Sequence, residues 1–175
     1  MVLETGDPLA WLLTFTTFGT WLHGDPRGST QHEAPGRSRS LKAEPGMVAF
    51  ERAEMAGPAF ALDSAQRAVV LRTIQEVSDH RGWELLALNV LTSHVHGVCA
   101  GDAPGRKMMA DWKSYATRRL REHGLATPTA RVWTASGSVL RLFSDRSVFQ
   151  ACDYVLGAQG SADAVGGQYC DGMKG

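Results

Sequence analysis

Cysteine is scarce in this 175-residue chain: Cys99, Cys152 and Cys170 stand far apart, with no CxxC pair among them. That spacing excludes a cysteine-ligated zinc site and fits a reducing, cytoplasmic setting better than a disulfide scaffold. No stretch approaches the roughly 20 apolar residues of a membrane span. Glu4 and Asp7 stand where a signal peptide would carry positive charge, so neither a membrane anchor nor export is expected. Net charge is missing as well, since 18 Lys+Arg balance 18 Asp+Glu, and the whole-molecule field argues neither for nor against a polyanionic partner. There is no internal repeat and no GxSxG nucleophile elbow. Tyrosine is limited to Tyr115, Tyr154 and Tyr169.

What is present is length enough for one domain with a real core, and an unusual central stretch. Leu86 to Cys99 reads LALNVLTSHVHGVC, an apolar, β-branched run with His94 and His96 set two apart. Successive side chains on a strand alternate faces, so a strand from Ser93 to Cys99 projects both imidazoles from one side. Two neutral imidazoles side by side can grip one divalent cation. A pair of surface or core histidines is the other meaning of the motif, and His-X-His by itself does not separate the two.

Around this stretch the chain reads as alternating elements. Residues 10–18 (AWLLTFTTF) are aromatic and β-branched between Pro8 and Gly19, a buried strand. Residues 24–60 are polar and rich in Gly, Pro and Arg, a long loop with one short apolar piece at Met47–Phe50. Asp63 or Ser64 caps a helix ending near Gly82. Two adjoining strands follow, then a helix from Pro104-Gly105 to Gly124 on which Arg106, Lys107, Lys113, Arg118, Arg119 and Arg121 outnumber Asp111 and Glu122. Such a run is usually a solvated face and less often a phosphate contact. Residues 136–143 (SGSVLRLF) give a further strand, and Ser144 or Asp145 caps a last helix to about Leu156. The order β-α-β-β-α-β-α predicts an α+β fold, a ferredoxin-like antiparallel sheet with helices packed on one face. Residues 1–160 form the domain, and 161–175 read as a flexible, glycine-rich tail.

A metal beside a basic helix suggests chemistry on a phosphodiester, with either water or a side chain as the attacking group. Among the tyrosines, Tyr115 lies beside the apolar stripe of the basic helix, and Tyr169 lies in the tail. Tyr154 falls nearly opposite the stripe Val148, Phe149, Cys152, Val155 and Leu156, so it is free to project into a site. On these residues alone a surface tyrosine with no task is the commoner meaning.

The combination of His94-Val95-His96 with a helical tyrosine about sixty residues later resembles the HUH-type single-tyrosine transposases, more nearly the REP-associated tyrosine transposase branch. TFTTFGTWLHGDPRGS, LNVLTSHVHGV, MMADWKSYATRRLRE, RVWTASGSVLRLF and DYVLGAQG each resemble a segment of that family, and together they cover most of the chain. The resemblance implies His94 and His96 as metal ligands and Tyr154 as nucleophile, with Tyr115 structural. Relatives often place a polar ligand four residues after the tyrosine. Here that position is Ala158, and Gln159 follows it as the candidate third ligand. Thr92-Ser93 replaces the Pro-Asn usual before the first histidine. Mg²⁺ or Mn²⁺ is the implied cofactor, Mn²⁺ the better match to imidazole because Mg²⁺ favours oxygen.

The implied partner is single-stranded or hairpin DNA, cleaved and rejoined through a 5′-phosphotyrosine. Arg106, Lys107, Lys113, Arg118 and Arg121 would be its phosphate contacts. Trp21 or Trp133 could stack on an unpaired base, with the core the preferred place for Trp133. The chain would act as a homodimer sharing sites or as a monomer. A histidine-triad hydrolase would need a histidine where Val98 stands, and an amidohydrolase-type barrel needs a longer chain. A catalytically silent DNA-binding protein of the same fold is the alternative.

Overall fold

The computed structural model describes residues 6–22, 25–26, 29–34, 37–55, 57–157 and 164–166. In chain order these form β1 (Ala10–Thr16), β2 (Ser29–Ala34), β3 (Arg37–Leu41), α1 (Pro45–Glu54), α2 (Ser64–Arg81), β4 (Glu84–Val90) and β5 (His94–Ala100). Then come α3 (Gly105–Glu122), β6 (Ser138–Leu142), α4 (Asp145–Gly157) and β7 (Ala164–Gly166). One antiparallel sheet runs β6-β1-β5-β4-β7. Its first four strands with α2 and α3 make the βαββαβ unit of the ferredoxin-like arrangement. No helix among the described residues is long and apolar enough to cross a membrane.

Local chemistry sets the boundaries. Asp63 accepts from the Gln66 amide at 2.8 Å while Gln66 Oε1 accepts from the Asp63 amide at 2.8 Å, a reciprocal capping box that starts α2. Gly82, at φ 68°, ends it in the left-handed region. Ser144 Oγ accepts from the Ser147 amide at 3.2 Å and starts α4.

The sheet is covered on both sides, which is why β4 and β5 read as near-continuous apolar runs. On one face Leu13, Phe15, Leu88, Val90, Val95 and Cys99 pack against α2 and α3 through Val70, Ile74, Met108, Trp112 and Leu120. On the other, Ala10, Leu86, Ala87, Val98 and Leu142 meet Val148, Ala151, Cys152 and Val155 of α4. The one-sided packing expected of the helices thus describes α2 and α3, and α4 takes the opposite face. Gly97 lets α3 approach closely: a Cβ there would lie 2.8 Å from the Trp112 ring.

The segment 24–60 holds the β2–β3 hairpin and α1 rather than loop alone. α1 has no buried residue, so the core owes it nothing. Within the tail, Ala164–Gly166 adds a strand beside β4. The remainder of 161–175 lies outside the described residues.

Candidate active site

His94 and His96 project from β5 toward α4, on the face away from α2 and α3. Their rings stand edge to face with centroids 4.7 Å apart. The turn that delivers them is anchored at Ser93, whose carbonyl accepts from the Thr17 amide at 2.8 Å, Thr17 Oγ1 at 3.1 Å and Thr20 Oγ1 at 3.3 Å. Thr92 O accepts from the Leu62 amide at 2.8 Å. The Thr92-Ser93 pair therefore fixes the base of the site by backbone bonds.

A hydroxyl meets Nδ1 of each ring. Thr14, the β1 partner of His96, places Oγ1 2.8 Å from His96 Nδ1, and Ser93 Oγ lies 3.0 Å from His94 Nδ1. With Nδ1–H donating to the hydroxyl, Nε2 presents its lone pair, the tautomer a metal needs. His96 is only 6% exposed. Burial, helped by the neighbouring His94, lowers its pKa to about 4, so its ring is neutral at neutral pH.

Tyr154 on α4 closes the group. Its ring lies 5.5 Å from the His96 ring, edge-on at 76°, and is 43% exposed, accessible to a large substrate. Trp21 stands at the rim, its ring 5.9 Å from His94. Asn89 of β4 is the other cross-strand neighbour of His96 and is fully buried. Its Nδ2 donates to Val155 O of α4 at 3.0 Å. Its Oδ1 has no hydrogen-bond partner among the described residues, a condition that ordinarily costs about 1–3 kcal/mol.

Three of the expected site residues, His94, His96 and Tyr154, are therefore brought together; Gln159 falls outside the described residues. Tyr115 is half-buried on the far side of the sheet under Arg118, whose guanidinium lies 4.6 Å from its ring centroid. Trp133 packs in the core against Phe15 at 5.0 Å, as preferred from its sequence context.

The cations of α3 also lie across the sheet from the histidines. Arg106 is exposed. Lys107 pairs with Asp111, Arg118 with Glu122 at 3.6 Å, and Arg121 donates to Ala130 O at 3.3 Å. Lys113 is a clamp: its Nζ donates to Thr134 O at 2.9 Å and Ser136 O at 2.8 Å, and burial lowers its pKa. Thr14, Ser93 and Asn89 were not singled out by sequence. Thr14 and Asn89 are polar interruptions of apolar strands, the one signal that could have found them.

The donor set suits a divalent ion that accepts nitrogen, two imidazoles with engaged Nδ1 atoms. No group of three His, Cys, Asp or Glu side chains able to hold a metal occurs among the described residues, so a third protein donor would be of another kind or would lie outside them.

No protein-family model matches the chain, and no curated protein does. Solved structures do. A REP-associated tyrosine transposase bound to a REP hairpin aligns over 89% of this chain and 69% of its own, at 12% identity and a TM-score of 0.48. A candidate transposase from Deinococcus radiodurans R1 aligns over 89% and 94%, at 16% identity and a TM-score of 0.44.

Proposed function

We propose that this protein is a transposase-type DNA strand transferase that cuts and rejoins single-stranded or hairpin DNA through Tyr154. The observation that carries the reading is the accessible Tyr154 phenol placed over a buried, neutral imidazole that is paired with a second. Tyr154 Oη attacks the phosphorus, the bond to the 3′ oxygen breaks, and that oxygen leaves with a proton as a free 3′-hydroxyl. The downstream strand stays on the enzyme as a 5′-phosphotyrosine. Attack by a 3′-hydroxyl reverses the step, so no nucleotide cofactor is consumed.

His94 and His96 would hold the divalent ion, with Gln159 as a further donor. Bound there, the ion supplies Lewis-acid withdrawal of charge from the phosphate oxygens. Thr14 and Ser93 hold the two rings in the ligating tautomer. Arg106, Lys107, Arg118 and Arg121 face away from Tyr154, which suits them to gripping DNA outside the reacting phosphate, such as a hairpin stem. Lys113 serves the β6 approach instead.

Covalent capture tests the proposal. Protein and 3′-labelled single-stranded hairpin DNA are mixed with Mn²⁺ and resolved on a denaturing gel. A metal-dependent, label-bearing protein band lost in Tyr154→Phe and kept in Tyr115→Phe is expected. A band that survives Tyr154→Phe overturns the assignment of the nucleophile. Hairpin binding with no band on any of a panel of hairpins makes the protein a binder rather than an enzyme.

A further inference from the structure

We infer that Asn89 is a positioning residue, whose buried amide fixes the register of α4 on the sheet and so holds Tyr154 over His96. Its consequence for cleavage rests on the reading of Tyr154 as nucleophile; its structural content does not.

A β-bulge puts Asn89 on this face. The β4–β5 register shifts between Leu85 and Ala87, so Leu86 and Ala87 both join the α4 cluster, and the alternation beyond them turns Asn89 toward α4. There it lies opposite His96 in β5 and opposite Ala164 in β7, with no access to water. Its Nδ2 reaches Val155 O, the carbonyl of the residue after the nucleophile.

Much of the α4 contact is apolar packing, with Val148, Ala151 and Val155 against Ala87 and Val98. Such a surface sets contact but not register, since apolar contact has no direction. A slip by one helical turn would carry Tyr154 about 5.4 Å along the axis. The Asn89 donor, fully buried and aimed at a carbonyl of α4, is a directional contact that opposes it. Stability alone does not account for an asparagine here, because the same side chain buries an Oδ1 with no partner among the described residues, a group that an apolar residue of similar volume would abolish.

The test uses the full chain with 3-fluorotyrosine replacing tyrosine, the Tyr154 signal being assigned by its loss in Tyr154→Phe. Asn89→Leu removes both amide groups at similar volume, and Asn89→Ser shortens the donor. We expect both variants to unfold cooperatively, with Asn89→Leu at or above the parent midpoint. The Tyr154 fluorine resonance should move toward its solvent position or split. Hairpin affinity should stay within about twofold while phosphotyrosine capture falls at least about tenfold, because small misplacements of a reacting group are costly. An unmoved Tyr154 resonance in folded variants overturns the inference. So does loss of cooperative unfolding in both, which would make Asn89 a folding residue. Absence of capture in the parent protein would sink the proposed activity alone, with the fluorine comparison still deciding the register.

Discussion

Acidification should weaken this fold through His96 in a way that can be isolated. The ring is buried and its pKa falls from 6.5 to about 4 in the folded protein. Above the unfolded value both states are neutral, and the contribution is fully present. As pH falls below 6.5 the unfolded chain binds a proton that the native chain refuses, so stability declines until the folded pKa is reached, and is level below it. The difference of about 2.5 units corresponds to roughly 3 kcal/mol in total, of which about 2 kcal/mol is lost by pH 5. For a chain of this size that is a fall of about 4–8 °C in Tm. Other groups titrate in the same window, so the comparison is with His96→Gln, which cannot titrate and can still bond Thr14. Urea unfolding of both proteins from about pH 7.5 to pH 4 should give lines that converge on acidification as His96 loses its advantage. Parallel lines would refute the buried, neutral ring, and with it the proposed ligand role of His96. Saturating Mn²⁺ should steepen the dependence, because protons then compete with the ion for the imidazole.

Other consequences follow from single contacts. Thr14→Val keeps shape but removes the partner of His96 Nδ1; Mn²⁺ affinity by calorimetry should drop about 10–100-fold, and an unchanged affinity would deny Thr14 that role. Gly97→Val forces a Cβ against Trp112 and should cost about 1–3 kcal/mol in denaturant titration with an unchanged m-value; a neutral result would mean the ring has room to move. Arg106→Gln should lower the salt slope of hairpin binding by about one, whereas Lys113→Met should leave the slope alone and lower stability by stranding the carbonyls of Thr134 and Ser136. The reverse pattern would place DNA on the buried lysine.

The elements that announced themselves in sequence did so through local chemistry. The Asp63–Gln66 box, Gly82 and the alternation around His94 each act within a few residues, so α2 and the histidine strand could be read directly. The placement of Tyr154 off its helix's apolar stripe was legible for the same reason. Long-range facts were not. That α4 takes the opposite face from α2 and α3 depends on which side of β5 each apolar residue meets, and β5 is buried on both. The bulge between Leu85 and Ala87 leaves no local mark, yet it decides where Asn89 points. The α3 cations looked alike in sequence, but only the fold reveals that Lys113 closes a run of carbonyls while Arg106 stays exposed. The β2–β3 hairpin was hidden in a polar stretch because an isolated pair of strands needs little apolar patterning.

The two faces of the sheet divide the labour. Behind β5, Trp112, Phe15, Leu13, Ile74 and Leu120 are all essentially inaccessible to solvent, and Trp112 Nε1 donates to Ser78 Oγ at 3.1 Å, locking α2 to α3. That face supplies most of the large apolar burial, so the strand bearing the histidines is held rigidly from the rear, at Gly97 within one residue of His96. The front face can then carry threonine, histidine and asparagine where a core would ordinarily place leucine. Its helix packs through Val148, Ala151, Cys152 and Val155 and accepts the Asn89 amide bond, and Tyr154 on it stays 43% exposed. On the proposed function, a tyrosine that must reach a polymer could not be buried as deeply as residues that would hold an ion. With His94 and His96 on a strand backed by the core, and Tyr154 on the helix across the other face, the proposed ligands and nucleophile would meet both requirements on a single sheet.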